Sequence, residues 1–315
     1  MGSQPVQFSI PTVDLSTYLR DPEAEQANEI VSAIRDACIT SGFFQITGHG
    51  ISTELQDAVF KSAEVVFKLP VEEKIKLQSA TDGRGYEVIG AQTLEVGMKA
   101  DLNESYYVGP EVAVKESYRN FQYPNVWPST DLISESEFKE PVLEYREQMC
   151  ALANILMRCL AKGLGLDQHF FDGFCKDPIA NVRLLHYPPQ PNLDDPKQLG
   201  AGAHTDFGAI TLLMQDDMGG LQVRKQDTAE WIDVKPNRDA YVVNIGDMMQ
   251  KWTKGEYNSN VHRVINRSGK ERYSVPFFFD GNLDYVLRPL DGSEDVEYTV
   301  EEFMKERFQK AYGTK

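Results

Sequence analysis

Gly202-Ala203-His204-Thr205-Asp206-Phe207-Gly208 is the stretch on which the fold turns, and it is answered further along by His262 and then by Arg272-Tyr273-Ser274. Two histidines and one carboxylate form a facial ligand set, covering one face of an octahedral divalent metal such as iron(II) and leaving the other face open. Residues i and i+2 of an extended segment share a face, so His204 and Asp206 are expected to project together, with His262 arriving from a second strand folded against the first. Such a site belongs inside a β-barrel or sandwich. Burying Asp206 there without a cation is costly. Gly202 and Gly208 read as relief of crowding where the ligands converge.

On either side of this stretch the pattern is that of short strands split by turns: 179–187, 201–206, 210–215, 221–225, 231–234, 240–245, 260–266 and 272–279. Gly219-Gly220 and Gly246-Asp247 read as tight connections. That strand count over this length is the count of a double-sheet jelly roll. Upstream, residues 8–15 alternate as a strand, 23–40 keep helical spacing, 43–46 form a strand, and Ser52 or Thr53 caps a helix to Lys68 closed by Pro70. Residues 79–130 resist assignment apart from a strand at 105–108. A long helix over 136–162, ended by Gly163, and a final helix over 300–312 complete the pattern.

The expected fold is therefore mainly β with flanking helices. A double-stranded β-helix (jelly roll, cupin-like) forms its core, with an α/β N-terminal region and a C-terminal helix. The segments are 1–130 for the N-terminal region, 131–175 for the long scaffold helix and connection, 176–285 for the jelly roll and 286–315 for the C-terminal helical segment.

The 315 residues carry a formal net charge of -16, with 41% hydrophobic and 25% charged residues. Phosphate binding needs clustered Lys and Arg, so no nucleic-acid partner is expected, and spread acidity reads as solubility. No apolar run is long enough to span a bilayer, and no signal pattern opens the chain. The four cysteines form no C-x-x-C pair and read as core thiols in a reducing compartment. A cytoplasmic monomer or weak homo-oligomer acting on a small molecule is the expectation.

Arg272 and Ser274 stand at i and i+2, aimed into one cavity, and a guanidinium beside a hydroxyl anchors a carboxylate. Tyr187 can donate to the same group. Arg183 shares its face, to meet either an anionic substrate or a structural carboxylate. Among the five histidines, His49 in a Gly-flanked turn, His169 in a short helix after Asp167, and His186 facing away from Arg183 and Tyr187 read as structural. The glycines near Gly83-Arg84-Gly85 spell no phosphate loop, and there is neither a G-x-S-x-G elbow nor an H-E-x-x-H.

Taken in order, Ile10–Leu15, Gly42–Gly50, Leu69-Pro70, Tyr187-Pro188-Pro189, the H-T-D segment, Gly219–Val223, Asn244–Asp247, Val261–Val264 and R-x-S resemble the iron(II)- and 2-oxoglutarate-dependent dioxygenases, in the branch that includes isopenicillin N synthase. The run from Gly85 to Glu95 is most similar to fungal members, which often serve natural-product pathways. The resemblance implies that His204, Asp206 and His262 bind iron. It implies that 2-oxoglutarate chelates the metal through its C1 carboxylate and keto oxygen, while its far carboxylate meets Arg272, Ser274 and Tyr187. Oxygen is consumed, succinate and carbon dioxide are released, and a small organic molecule is hydroxylated, desaturated or cyclised, with ascorbate helpful in vitro. Arg183, Phe207, Phe277, Phe279, the 84–110 region and the C-terminal helix are the expected substrate lining. Many plant members carry Asn where this chain has Leu185. Two rivals stand beside this reading. One is a same-fold oxidase that uses no 2-oxoglutarate, with R-x-S serving the substrate; the other is a non-catalytic jelly-roll binding protein.

Overall fold

The computed structural model describes residues 10–79, 83–113, 115–290 and 297–312. Phe8 and Ser9 of the first expected strand lie outside these. From the N-terminus the elements are β1 (Thr12–Asp14), α1 (Ser16–Arg20), α2 (Glu25–Thr40), β2 (Phe43–Thr47), α3 (Thr53–Phe67), α4 (Val71–Lys76), β3 (Gly85–Glu87) and β4 (Glu104–Val108). The Ser52 side chain accepts from the Leu55 N–H and caps α3 as expected, satisfying one of the donors a helix start leaves free. Pro70 stands between α3 and α4 and opens the latter, where a missing N–H costs nothing.

The long helix is shorter at its start than its periodicity predicts. A 3-10 turn, Glu135–Glu137, is held by a reciprocal Ser134/Glu137 capping box, and α5 (Lys139–Gly163) follows it. The short α6 (Asp172–Cys175) comes after His169, which sits in a turn, so the expected helix around His169 is displaced toward the C-terminus. The remaining elements are β5 (Ile179–Tyr187), β6 (Ala201–His204), β7 (Ile210–Gln215), β8 (Leu221–Arg224), β9 (Trp231–Asp233), β10 (Tyr241–Ile245), α7 (Asp247–Trp252), β11 (His262–Val264), β12 (Arg272–Gly281), β13 (Val286–Leu287), β14 (Tyr298–Thr299) and α8 (Val300–Tyr312). Gly246-Asp247 is not merely a tight connection: it opens α7.

The strands of the β-rich half divide between two sheets. β5, β7, β10 and β12 sit in an 8-stranded sheet of order β1-β2-β10-β7-β12-β5-β4-β3, while β6, β11, β8 and β9 form a 4-stranded sheet. This is the jelly roll. Its larger sheet is extended at both edges by strands from the N-terminal region, so that region is joined to the jelly roll by backbone hydrogen bonds. One face of the large sheet carries the main apolar core, in which Val59, Ala63, Leu152, Leu156, Val275, Phe277 and Phe279 are buried under α3 and α5. Its other face meets the small sheet through Phe43, Leu185, Tyr187, Ala201, Leu221, Val242 and Val264. The polar site lies in this second layer.

Candidate active site

β6 and β11 run antiparallel and place His204 directly opposite His262. β6 ends at His204, so Asp206 lies in the loop beyond the strand rather than within it, a correction to the same-strand expectation. The loop nonetheless turns the carboxylate inward. Asp206 Oδ1 stands 3.8 Å from Nε2 of both His204 and His262, and the three candidate ligand atoms lie within 4.8 Å of one another. Metal bonds of about 2.1 Å at right angles bring ligand atoms to about 3 Å, so a modest contraction closes the set.

The surroundings prepare these atoms for a cation. His204 Nδ1 lies 2.8 Å from the Gly202 carbonyl and His262 Nδ1 3.3 Å from that of Asn260. Each Nδ1–H then donates to a carbonyl and each Nε2 lone pair faces inward. Burial first, and the neighbouring His262 second, push His204 down to about 4, so it stays neutral and available. Asp206 Oδ2 accepts from Thr211 Oγ1 at 2.6 Å and Asn244 Nδ2 at 2.8 Å, which leaves Oδ1 for the ion. Burial opposes ionisation of Asp206, but the two histidines and these hydrogen bonds outweigh it and hold its pKa below the usual carboxylate value.

Thr211 and Asn244 were not foreseen as site residues. Asn244 carried a signal, a lone amide inside the apolar strand Tyr241-Val242-Val243-Asn244-Ile245. Gly202 and Gly208 serve differently from expectation. A Cβ on Gly202 would meet the Glu95 backbone N at 2.8 Å, and one on Gly208 would collide with the Asp280 carboxylate. These glycines admit a neighbouring loop and a buried acid, not the ligands. Burial, and then the charge of Asp206, push Asp280 up to about 7.

Arg272 is fully buried and directly opposite Tyr187 in the β12/β5 pairing, its guanidinium 4.7 Å from the phenol ring centre. Its Nε donates to the Gly219 carbonyl at 2.5 Å, Nη1 to Ser274 Oγ at 3.3 Å and Nη2 to Gln215 Oε1 at 3.3 Å. Among the described residues no carboxylate forms an ion pair with it. Gln215 is a further residue that spacing did not reveal, since it comes from β7.

Arg272, Ser274, Tyr187 and the His-Asp-His cluster line one cavity of about 70 Å³, together with Leu185, Arg183, Gln92, Leu94, Asn103, Pro276 and Phe278. Arg183 lines the cavity and pairs with the carboxylate of Glu87 at 3.0 Å, the structural partner that was one of its two expected alternatives. Phe277 and Phe279 do not line it. They lie on the opposite face of β12, in the core under the helices, because side chains alternate along a strand and Arg272 shares its face with Ser274, Pro276 and Phe278. Phe207 is also outside the lining, packed beneath Arg307 and 5.5 Å from Phe308. His49, His169 and His186 stay apart from the cavity. His186 bridges Glu104 and Glu271, and His49 stacks edge-on against Tyr241.

Known proteins agree with this picture. Residues 10–130 match the N-terminal family of non-haem dioxygenases in morphine synthesis, and residues 178–281 match the 2OG-Fe(II) oxygenase superfamily. The chain is 46% identical to the 2-oxoglutarate-dependent dioxygenase citB of Monascus ruber, covering 98% of this chain and 97% of that one. It is 38% identical to clavatol oxidase claD of Penicillium crustosum, covering 97% of each. Among solved structures, a full-length Neurospora crassa protein in complex with alpha-KG (2-oxoglutarate) and thymine superposes with a TM-score of 0.85 at 29% identity, covering 98% of this chain and 99% of that one. The chain belongs to the 2OG-Fe(II) oxygenase superfamily. Within it, this protein is a 2-oxoglutarate-dependent Fe(II) dioxygenase.

Proposed function

We propose that His204, Asp206 and His262 hold the iron, and that Arg272, Ser274 and Tyr187 anchor the far carboxylate of 2-oxoglutarate. Iron and 2-oxoglutarate so held supply oxygen activation coupled to oxidative decarboxylation. The chain's own residues hold the two reactants in register, shield them from water with the apolar walls Phe43, Leu185, Leu213 and Val264, and present an organic molecule to the open metal face. Arg183, Gln92, Asn103 and Phe278 are the groups that meet that molecule. It is a small metabolite, oxidised at a C–H bond in a fungal-type natural-product pathway in the cytosol, in keeping with the fungal relatives and the four free thiols.

One observation carries the reading: a buried guanidinium that forms no ion pair with a carboxylate among the described residues, in the same cavity as a His-Asp-His cluster. A buried charge without an ion-pair partner is unfavourable, and a dicarboxylate spanning from Arg272 to the metal would supply that partner. In the same-fold oxidase without 2-oxoglutarate, Arg272 and Ser274 serve the organic substrate instead, so the dependence of turnover on 2-oxoglutarate is what separates the two readings. The test is substrate-stimulated succinate release over a panel of small metabolites, with Arg272→Leu beside the wild type. Losing a charge-assisted pair of about 2–3 kcal/mol raises the 2-oxoglutarate KM roughly 30- to 160-fold while iron remains bound. An unchanged KM defeats the anchor assignment, and full turnover without 2-oxoglutarate defeats the reading as a whole.

A further inference from the structure

α8 reaches the metal site through a charged contact. Arg307 pairs with Asp247, the first residue of α7, and its guanidinium lies 5.1 Å from the centre of the Phe207 ring. The Asp247 carboxylate has two more partners. Oδ2 accepts from Thr205 Oγ1 at 3.1 Å, and Oδ1 accepts from Ser259 Oγ at 2.7 Å. Thr205 is the residue between His204 and Asp206, and Ser259 leads into the segment that delivers His262. The Asp247 and Met248 N–H groups donate to the carbonyls of Asp206 and Phe207 at 2.8 and 3.1 Å. One carboxylate thus ties both ligand-bearing segments to α7, and one cation from α8 compensates that carboxylate.

We propose that Arg307 is a positioning residue: acting through Asp247 on Thr205, it sets the spacing of the three candidate metal ligands, so that docking of α8 tunes metal affinity. This rests on the assignment of His204, Asp206 and His262 as ligands. The physical reason lies in what Asp247 does without Arg307. A half-buried carboxylate held by two hydroxyls alone gains by turning toward solvent, and it releases Thr205 as it turns. The loop that bends Asp206 inward then keeps only its backbone contacts to α7.

The experiment is anaerobic Fe(II) titration of the full chain at saturating 2-oxoglutarate, read by the charge-transfer absorbance of the ternary complex, with metal-free thermal unfolding measured in parallel. Arg307→Met keeps an apolar side chain on Phe207 and removes the charge, while Thr205→Val removes the hydroxyl and keeps the shape. Each is expected to raise the Fe(II) dissociation constant about tenfold, the usual scale for a group that orients a metal ligand. The double variant is expected to be no weaker than about twice either single one, because both break the same link. Arg119→Met serves as the comparison. It cuts another clasp of α8, the 2.6 Å pair with Glu301, without touching Asp247, and is expected to keep wild-type iron affinity even if the thermal midpoint falls.

Wild-type affinity in Arg307→Met overturns the proposal, as do costs that multiply in the double variant or an equal loss in Arg119→Met. Should Arg307→Met fail to fold, Thr205→Val decides alone, and wild-type affinity there has the same consequence. A wild-type chain that binds no iron overturns the ligand assignment itself, a result distinct from these.

Discussion

Phe277 and Phe278 are neighbours on β12 with opposite roles. Phe277 is fully buried among the helices, whereas Phe278 faces the cavity on the same side as Arg272 and Ser274. Phe277→Ala is expected to cost about 3–5 kcal/mol of stability, the usual loss for a buried ring. Phe278→Ala is expected to spare the thermal midpoint and to raise the KM for the organic substrate about tenfold, the worth of a modest apolar contact. Thermal unfolding and steady-state kinetics on the two variants check this, and a swapped pattern reverses the strand's facing. The alternation was readable in the sequence. Counting in twos from Arg272 reaches 278, not 277 or 279, and it was the aromatic character of all three residues that obscured the count. Arg183 is the reverse case, for its face was legible, while its partner Glu87 came from a stretch with no clear periodicity.

At the scale of elements, the outer edge of the large sheet is pinned by a buried charge network. Glu104 on β4 accepts from Lys74 Nζ of α4 at 2.6 Å and lies 2.7 Å from His186 Nδ1 of β5, with Tyr86 of β3 also donating to it. Burial opposes the His186 charge, but the hydrogen bonds to Glu104 and Glu271 outweigh it and raise its pKa above the ordinary 6.5. A raised histidine contributes stability that is fully present below pH 6.5 and is lost as pH rises through the folded value. Burial likewise opposes ionisation of Glu104, yet its three partners depress its pKa, so its contribution is lost only in acid. His186→Gln should therefore lower the thermal midpoint most near about pH 6 and progressively less toward about pH 9. A deficit that grows with pH contradicts the assignment of charge. These residues read individually as a structural histidine and scattered charges, because the network joins α4, β3, β4 and β5, which no local pattern links.

For the molecule as a whole, iron and 2-oxoglutarate act as ligands of the folded state alone. The candidate ligands come from the end of β6, the loop after it and β11, and the proposed anchor from β5, β7 and β12, so neither constellation exists in the unfolded chain. Saturation at roughly a hundredfold excess over the dissociation constant adds about 2.7 kcal/mol, which raises the thermal midpoint by about 4 °C in a chain of this size. Calorimetry with Fe(II) and 2-oxoglutarate, before and after chelation, measures it. A midpoint indifferent to the chelator counts against a site built only by folding.

Helix and strand periods, cap residues and the types of ligand present are local properties. They were enough to predict the jelly roll and to nominate candidate residues for both halves of the site. Folding alone settled the contacts between segments distant along the chain. Thr211 and Asn244 are set on the unused oxygen of Asp206, and Gln215 on Arg272. Asp280 lies against Gly208, and Arg307 of the last helix is brought to the loop of the first ligands. The division is physical: backbone periodicity is written within a few residues, whereas desolvation and hydrogen-bond satisfaction depend on whatever the fold brings within reach.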